Sequence, residues 1–350
     1  MTLTKAIRSS FLLITLSSFV LASDFGQQIA TEVSVSQYQT YLEDYLFTHA
    51  GDNRGRNGAD HNPCRANIQS LMNSFGLSVQ LEPFTYWGHT YYNVVGTQTG
   101  VLYPDVQYIV GAHYDSVNNP GADDDASGVA GVLEIARVLS QYDLPYTVKY
   151  VAFDLEELGL LGSIAYVAAH QSDDIRGMIQ LDMIAWAGAE GKVDIYARMP
   201  SRFLRNAVRL SIRDYSGGVT VGYEGVSYSS DHSSFEDEGI PGCLLIEDRH
   251  GANPWYHEQN DNVDTPGYLD YELATNITRA VAGFLADPDD RYCVGDISSD
   301  GRIDLVDLAA LLAHYGMTSG AEFTDGDLDR DGDVDIHDLA ILLSVYGTQC

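Results

Sequence analysis

Basic side chains are scarce in this chain: 19 Lys plus Arg stand against 50 Asp plus Glu, a formal net charge of −31 at pH 7. That excludes nucleic acid as a partner, because a phosphate backbone is held by Lys and Arg and this surface repels it. An anionic membrane surface is repelled likewise. No apolar run reaches the ~20 residues that a membrane helix needs, so no membrane span is expected. Charged residues are only 20% of the chain against 45% apolar, a balance that excludes disorder throughout and calls for a large packed core. Only four cysteines occur, Cys64, Cys243, Cys293 and Cys350, which allows three pairings if all four are bridged. The 350 residues leave room for about two domains of roughly 150 residues each.

Residues 1–22 carry Lys5 and Arg8, then the run FLLITLSSFVLA ending in the small Ala22. This is signal-peptide patterning, so the mature chain is expected to start near Ser23 and to be secreted or held at the cell surface. Disulfides are permitted in that compartment.

From Ser34 to about Ala286 short apolar runs alternate with helical stretches, the pattern of an α/β layer domain. VQYIVGAH ends at His113, TVKYVAFDL at Leu155, GMIQLDM at Met183 and GCLLIED at Asp248, and each reads as a strand. Ser127–Tyr142 places Val129, Val132, Leu133 and Ala136 on one helical stripe, with Ser127 as its cap. Ligands of open α/β sheets gather outside the carboxyl ends of strands. Arg198, Arg202, Arg205, Arg209 and Arg213 recur at helical spacing and read as a solvated helix face, the alternative being contact with an acidic neighbour such as the C-terminal tail.

That tail differs in composition. Residues 287–350 hold fifteen acids against three arginines, and DLAALLAHYG (Asp307 to Gly316) recurs as DLAILLSVYG (Asp338 to Gly347) at an offset of 31. Before the second copy, Asp327, Asp329, Asp331, Asp335 and Asp338 take positions 1, 3, 5, 9 and 12 of a calcium loop, with Gly332 at the bend. Before the first, Asp296, Ser298, Asp300, Asp304 and Asp307 take the same positions around Gly301, so one hydroxyl replaces a carboxylate and weakens that site. Arg302 and Asp333 stand at position 7, where the main-chain carbonyl is the ligand.

Asp at position 12, and a helix after each loop without an obvious one before it, resemble the type I dockerin module over about residues 293–350. The resemblance implies two calcium ions in a small all-α fold, and a cohesin-like or cell-surface protein as partner. Cys293 and Cys350 flank the two units as in GC-type dockerins, and a Cys293–Cys350 disulfide is expected. Leu305, Val306, Ile336 and His337 fill loop positions 10 and 11, a departure from cellulosomal dockerins. The organisation is then a signal peptide over 1–22, a catalytic domain over 23–286, a linker over 287–292 and the module over 293–350.

Metal-type residues lie mostly at or just beyond the predicted strand ends: His113 and Asp115 in GAHYDS, three aspartates in PGADDDASG, Glu156 and Glu157 in FDLEELG, Asp182 in QLDM and His257 in PWYHEQND. Two histidines and three carboxylates suit a pair of zinc ions, leaving a carboxylate as base. The motifs and their order resemble the secreted two-zinc aminopeptidase family over about residues 35–286. That resemblance implies a three-layer α/β/α sandwich around a mixed, largely parallel sheet, acting on peptide substrates with apolar N-terminal residues. It makes Asp124 the bridging ligand, His113 and Asp182 ligands of one zinc, and Glu157 and His257 ligands of the other. Glu156 becomes the general base, Asp115 the group orienting His113, and the Asp124–Asp125 peptide cis. Aligned on Ser230, Asp231 and His232, the family's oxyanion tyrosine falls on Ser227, and the role passes to Tyr228 one residue later. Glutaminyl cyclases and carboxypeptidases on the same fold, and a non-catalytic displayed scaffold, are the competing readings. The full ligand set favours the aminopeptidase.

Overall fold

The four apolar runs become the buried centre of one sheet in the computed structural model, which describes residues 24–47, 53–288, 295–298, 302–321, 323–328 and 332–347. The expected signal peptide, Cys293, Cys350, Asp300, Asp329 and Asp331 lie outside the described residues. Strands β1 (Ser78–Tyr86), β2 (His89–Gln98), β3 (Tyr103–His113), β4 (Tyr146–Phe153), β5 (Asp174–Leu181), β6 (Lys192–Tyr196), β7 (Thr220–Gly225) and β8 (Gly242–Glu247) lie in the order β1-β2-β4-β3-β5-β8-β6-β7. The central four are parallel, β4 to β3, β3 to β5 and β5 to β8. β2 joins β4 and β6 joins β8 antiparallel. The sheet is therefore mixed with a parallel core, and both of its faces must be covered.

Side-chain alternation divides that cover. Val94, Tyr108, Val110, Val148, Tyr150, Ile179 and Leu181 enter one apolar cluster, while Val95, Ile109, Val151, Phe153 and Met178 enter another. The first is closed by helices α1 (Asp24–Glu32), α2 (Val35–Thr40), α3 (His61–Ser74), α4 (Ala126–Leu139), α6 (Arg202–Tyr215) and α8 (Tyr271–Ala286), and the second by α5 (Leu161–Ala169) and α7 (His232–Asp237). α4 is buried at nearly every position, as a helix apolar on all sides must be.

Two local expectations change. The α4 cap is Asp125, whose carboxylate accepts the Gly128 amide, whereas Ser127 lies inside the helix and donates to the Asp123 carbonyl. The arginine row forms a helix face only from Arg202 onward, and several of its members are paired within the same domain. Arg205 and Arg209 meet Glu224, and Arg198 meets Glu236 and Asp237. Cys64 in α3 and Cys243 in β8 are buried thiols not bonded to each other. Among the described residues no helix is long and apolar enough to cross a membrane.

The tail carries its own small core, Ile297, Ile303, Leu311, Leu328, Val334 and Leu342. It packs α9 (Leu305–His314) and α10 (Ile336–Val345), each opened by a capping box, Asp304 with Asp307 and Asp335 with Asp338.

Candidate metal centre

The parallel strands all end on one edge, and the sequence places its charged residues immediately past those ends. His113 closes β3, Glu156 and Glu157 follow β4, and Asp182 follows β5. Asp124 sits in the loop entering α4, across a cis peptide to Asp125, and His257 in the loop after β8. Leu155, Met183 and His257 have φ of 57°, 53° and 62°. The left-handed region is disfavoured for such side chains, so three of the segments carrying these residues are held out of relaxed geometry by their surroundings.

The bonding atoms converge. Asp124 Oδ1 lies 3.3 Å from His113 Nε2, and its Oδ2 lies 3.2 Å from His257 Nε2. Asp182 Oδ1 is 3.8 Å from His113 Nε2, and Glu157 Oε2 is 3.3 Å from His257 Nε2. Ligand atoms about 2.0–2.2 Å from one tetrahedral ion stand roughly 3.3–3.6 Å apart. Asp124 thus gives one oxygen to each of two such sets. Glu156 Oε2, 3.9 Å from His113 Nε2, stands beside the pair.

The donor chemistry fits cations. Among the described residues no Lys or Arg forms an ion pair with these groups, and Asp124 Oδ2 and Glu157 Oε1 are buried without a hydrogen bond. Uncompensated carboxylates distort one another. Burial and then neighbouring Asp124 push Glu157 up to about 7, and burial raises Glu156 well above the usual carboxylate range. Burial would raise Asp124 too, but His113 and His257 hold it below that range. His257 is pushed up to about 10 by Asp124 and then Glu157. Bound dications would replace the protons that this cluster otherwise needs.

Asp125 also falls close to His113 and Asp182. Its oxygens, however, accept three main-chain amides, His113 at 3.1 Å, Gly128 at 2.9 Å and Met183 at 3.1 Å. Asp125 therefore ties three elements together, and Asp124 faces the histidines. Asp123 likewise accepts the Ala185 amide and the Asn253 side chain. Asp261, unmarked by the sequence reading, accepts the amides of Asp123 and Asp124 at 2.7 and 3.2 Å. The Asp115 main-chain carbonyl lies 3.2 Å and its carboxylate 3.5 Å from His113 Nδ1, and the carboxylate also accepts the Glu156 and Glu157 amides at 3.0 and 3.3 Å.

Tyr228 is 72% exposed, with the Arg198 guanidinium 4.4 Å from its ring centre. Tyr256 stacks on His257 at 3.8 Å between centroids. Burial and then the charges of Asp124, Asp182, Glu157 and Glu156 raise its phenol pKa. Its place directly before His257 was the available signal. His232 is buried, with neither ring nitrogen hydrogen-bonded, and burial pushes it down to about 3.

In the tail, Asp333, Asp335 and Asp338 converge on one point. Asp307 and Asp338 close their loops alike, accepting the Asp304 and Asp335 amides at 2.8 and 2.7 Å. Asp296 and Asp327 are buried, Ser298 and Asp304 partly so, and Arg302 is exposed.

The family model for peptidase family M28 matches residues 93–285, more than half of the chain and all six residues around the paired sites. Leucine aminopeptidase 1 of Ajellomyces capsulatus strain NAm1 / WU24 is 28% identical over 277 residues, 70% of this chain and 69% of that protein. The chain spans 44–57% of the length of three further curated relatives. The LapA aminopeptidase of Legionella pneumophila superposes with a TM-score of 0.64 at 22% identity, over 74% of this chain and 73% of that one. Porphyromonas gingivalis glutaminyl cyclase superposes at 0.60 with 24% identity, over 73% and 99%.

Proposed function

The chain belongs to peptidase family M28 and is a metallo-aminopeptidase-type hydrolase; from that premise we propose that it removes N-terminal, apolar residues from peptides at a two-zinc site. The observation that carries this reading is Asp124, which gives one oxygen to His113 and the other to His257. His113 and Asp182 would hold one zinc, Glu157 and His257 the other. The apolar preference is supported by the leucine aminopeptidases among the relatives.

Zinc bound there would acidify a water and polarise the scissile carbonyl, so that a nucleophile is at hand near neutral pH. Glu156 takes the proton of that water on its carboxylate and returns it to the departing amine. Its amide, fixed by Asp115, keeps the carboxylate adjacent to the ligands without making it one. The Tyr256 hydroxyl is the donor for the developing oxyanion. Tyr256→Phe is expected to lower kcat by about 10²–10³-fold, and Tyr228→Phe to leave kcat within a factor of two; steady-state kinetics on one dipeptide amide compares them, and the reverse order would return the role to Tyr228.

Mass spectrometry of a defined peptide mixture, incubated with the full chain and zinc and then with a chelator, tests the reading. Ladders shortened from the N-terminus and abolished by chelation are expected. C-terminal ladders would mean a carboxypeptidase. Ammonia loss from N-terminal glutamine would mean a cyclase, and zinc bound without any change would mean a scaffold.

For the remainder of the chain we propose export by residues 1–22, a linker over 287–292, and a dockerin-like module over 293–350 that binds two calcium ions, is closed by Cys293–Cys350 and docks onto a cohesin-like or cell-surface protein. The duplicated loops and the separate core support this. Calcium chelation is expected to abolish the protected amides of α9 and α10 in hydrogen exchange while peptidase activity, assayed with zinc held constant, stays within twofold. Loss of both together would refute the independence of the module.

A further inference from the structure

Arg54 lies outside the segment matched to the family and was not singled out by the sequence. It is fully buried, yet the described residues give its guanidinium no carboxylate partner. Burying a cation without an ion pair is costly unless its donors are all well directed. Here they are aimed at main-chain carbonyls: Nε donates to Tyr114 at 3.0 Å, Nη1 to Pro120 at 2.5 Å and Nη2 to Gly121 at 2.5 Å. The Phe47 ring lies 4.9 Å from the guanidinium carbon.

These carbonyls belong to the two ends of one loop. Tyr114 follows His113, and Gly121 comes three residues before Asp124. Gly121 has φ of +67°, and a Cβ there would clash with the Asp124 carbonyl oxygen and lie 2.9 Å from Arg54 Nη2, so the Gly121 backbone packs closely against both residues. The Gly121 carbonyl also accepts the Ala126 amide at 3.2 Å, which starts α4. Without the cation, the Tyr114 and Pro120 carbonyls would lose the donor that Arg54 supplies, and the Gly121 carbonyl would keep only the Ala126 amide.

We propose that Arg54 is a positioning residue: by clamping both ends of the 114–121 loop it sets the distance between His113 and Asp124 that a metal pair requires. The inference rests on the two-zinc reading above. A planar fork of donors is needed, and Lys offers only a compact ammonium, so Arg54→Lys is not conservative here.

The test is zinc binding by the full chain in metal-buffered solution, with circular dichroism as the folding control and the visible spectrum of the Co(II)-loaded protein as a report on ligand geometry. Arg54→Lys is expected to stay folded without metal, to bind zinc about 10- to 100-fold more weakly, and to show an altered Co(II) spectrum. Wild-type zinc affinity and an unchanged spectrum in Arg54→Lys would overturn the proposal. If Arg54→Lys does not fold, Arg54→Ala is refolded with guanidinium ion: zinc affinity that falls when the ion is dialysed away supports the clamp, and affinity that stays constant overturns it. Failure of the wild-type chain to bind zinc would strike at the two-zinc reading.

Discussion

Glu156→Gln is expected to lower kcat by about 10²–10⁴-fold, with KM and zinc content close to those of the unaltered chain. The amide has the size of the carboxylate and retains a carbonyl oxygen, but it cannot take a proton from water at neutral pH. Binding of the ions should survive, because the His113, Asp124 and Asp182 contacts and the His257 and Glu157 contacts do not use Glu156. The main-chain amide of residue 156 remains held by Asp115 in the variant, so the backbone turn is preserved. Steady-state kinetics together with elemental analysis of bound zinc separate the two roles. A variant that loses zinc in step with activity would make Glu156 a ligand; a variant with unchanged kcat would remove it from the reaction.

The candidate site was legible because the fold gathers residues by strand end. His113 and His257 are far apart in sequence, yet the separate clusters around β3, β4 and β5 had only to be recognised as strand termini to be placed on one edge. The three consecutive aspartates were legible as a group, whereas the work of the outer two was not. Asp125 caps α4 and also accepts amides from His113 and Met183, which come from two other parts of the chain. Such a role depends on three separated backbones meeting, so no local pattern announces it, and the local pattern points to Ser127 as the cap instead. Counting from Ser230, Asp231 and His232 leads to Tyr228, but that ring is exposed and packs against the Arg198 guanidinium. Tyr256 directly precedes His257 in the sequence, but which of the chain's tyrosines stacks on that histidine shows only in the folded loop after β8. The sheet order was likewise hidden. Antiparallel pairing of β2 with β4 and of β6 with β8 is a choice between apolar surfaces that side-chain alternation does not make.

Asp124→Ala is expected to have the second large effect: fewer than one zinc retained per chain under conditions that load the unaltered chain with two, and kcat/KM lower by about 10³-fold or more, since the metal supplies several kcal/mol of transition-state stabilisation. The reason is that, among the described residues, Asp124 alone approaches both histidines, with one oxygen 3.3 Å from His113 and the other 3.2 Å from His257. His257→Ala, by contrast, removes a donor from one set only and should leave one zinc bound, held by His113, Asp124 and Asp182. Elemental analysis of the two variants against the unaltered chain distinguishes a shared carboxylate from two independent sites. If Asp124→Ala still bound two ions with full activity, the bridge would have to come from Asp125, the other carboxylate near His113 and Asp182. Asp125→Asn should behave differently. Its two oxygens accept amides from the end of β3, the first turn of α4 and the residue after Asp182, so the variant leaves at least one of three buried N–H groups poorly satisfied. Each such group costs about 1–3 kcal/mol. Its defect should therefore register as a lower melting temperature of the metal-free protein, measured with no ion bound.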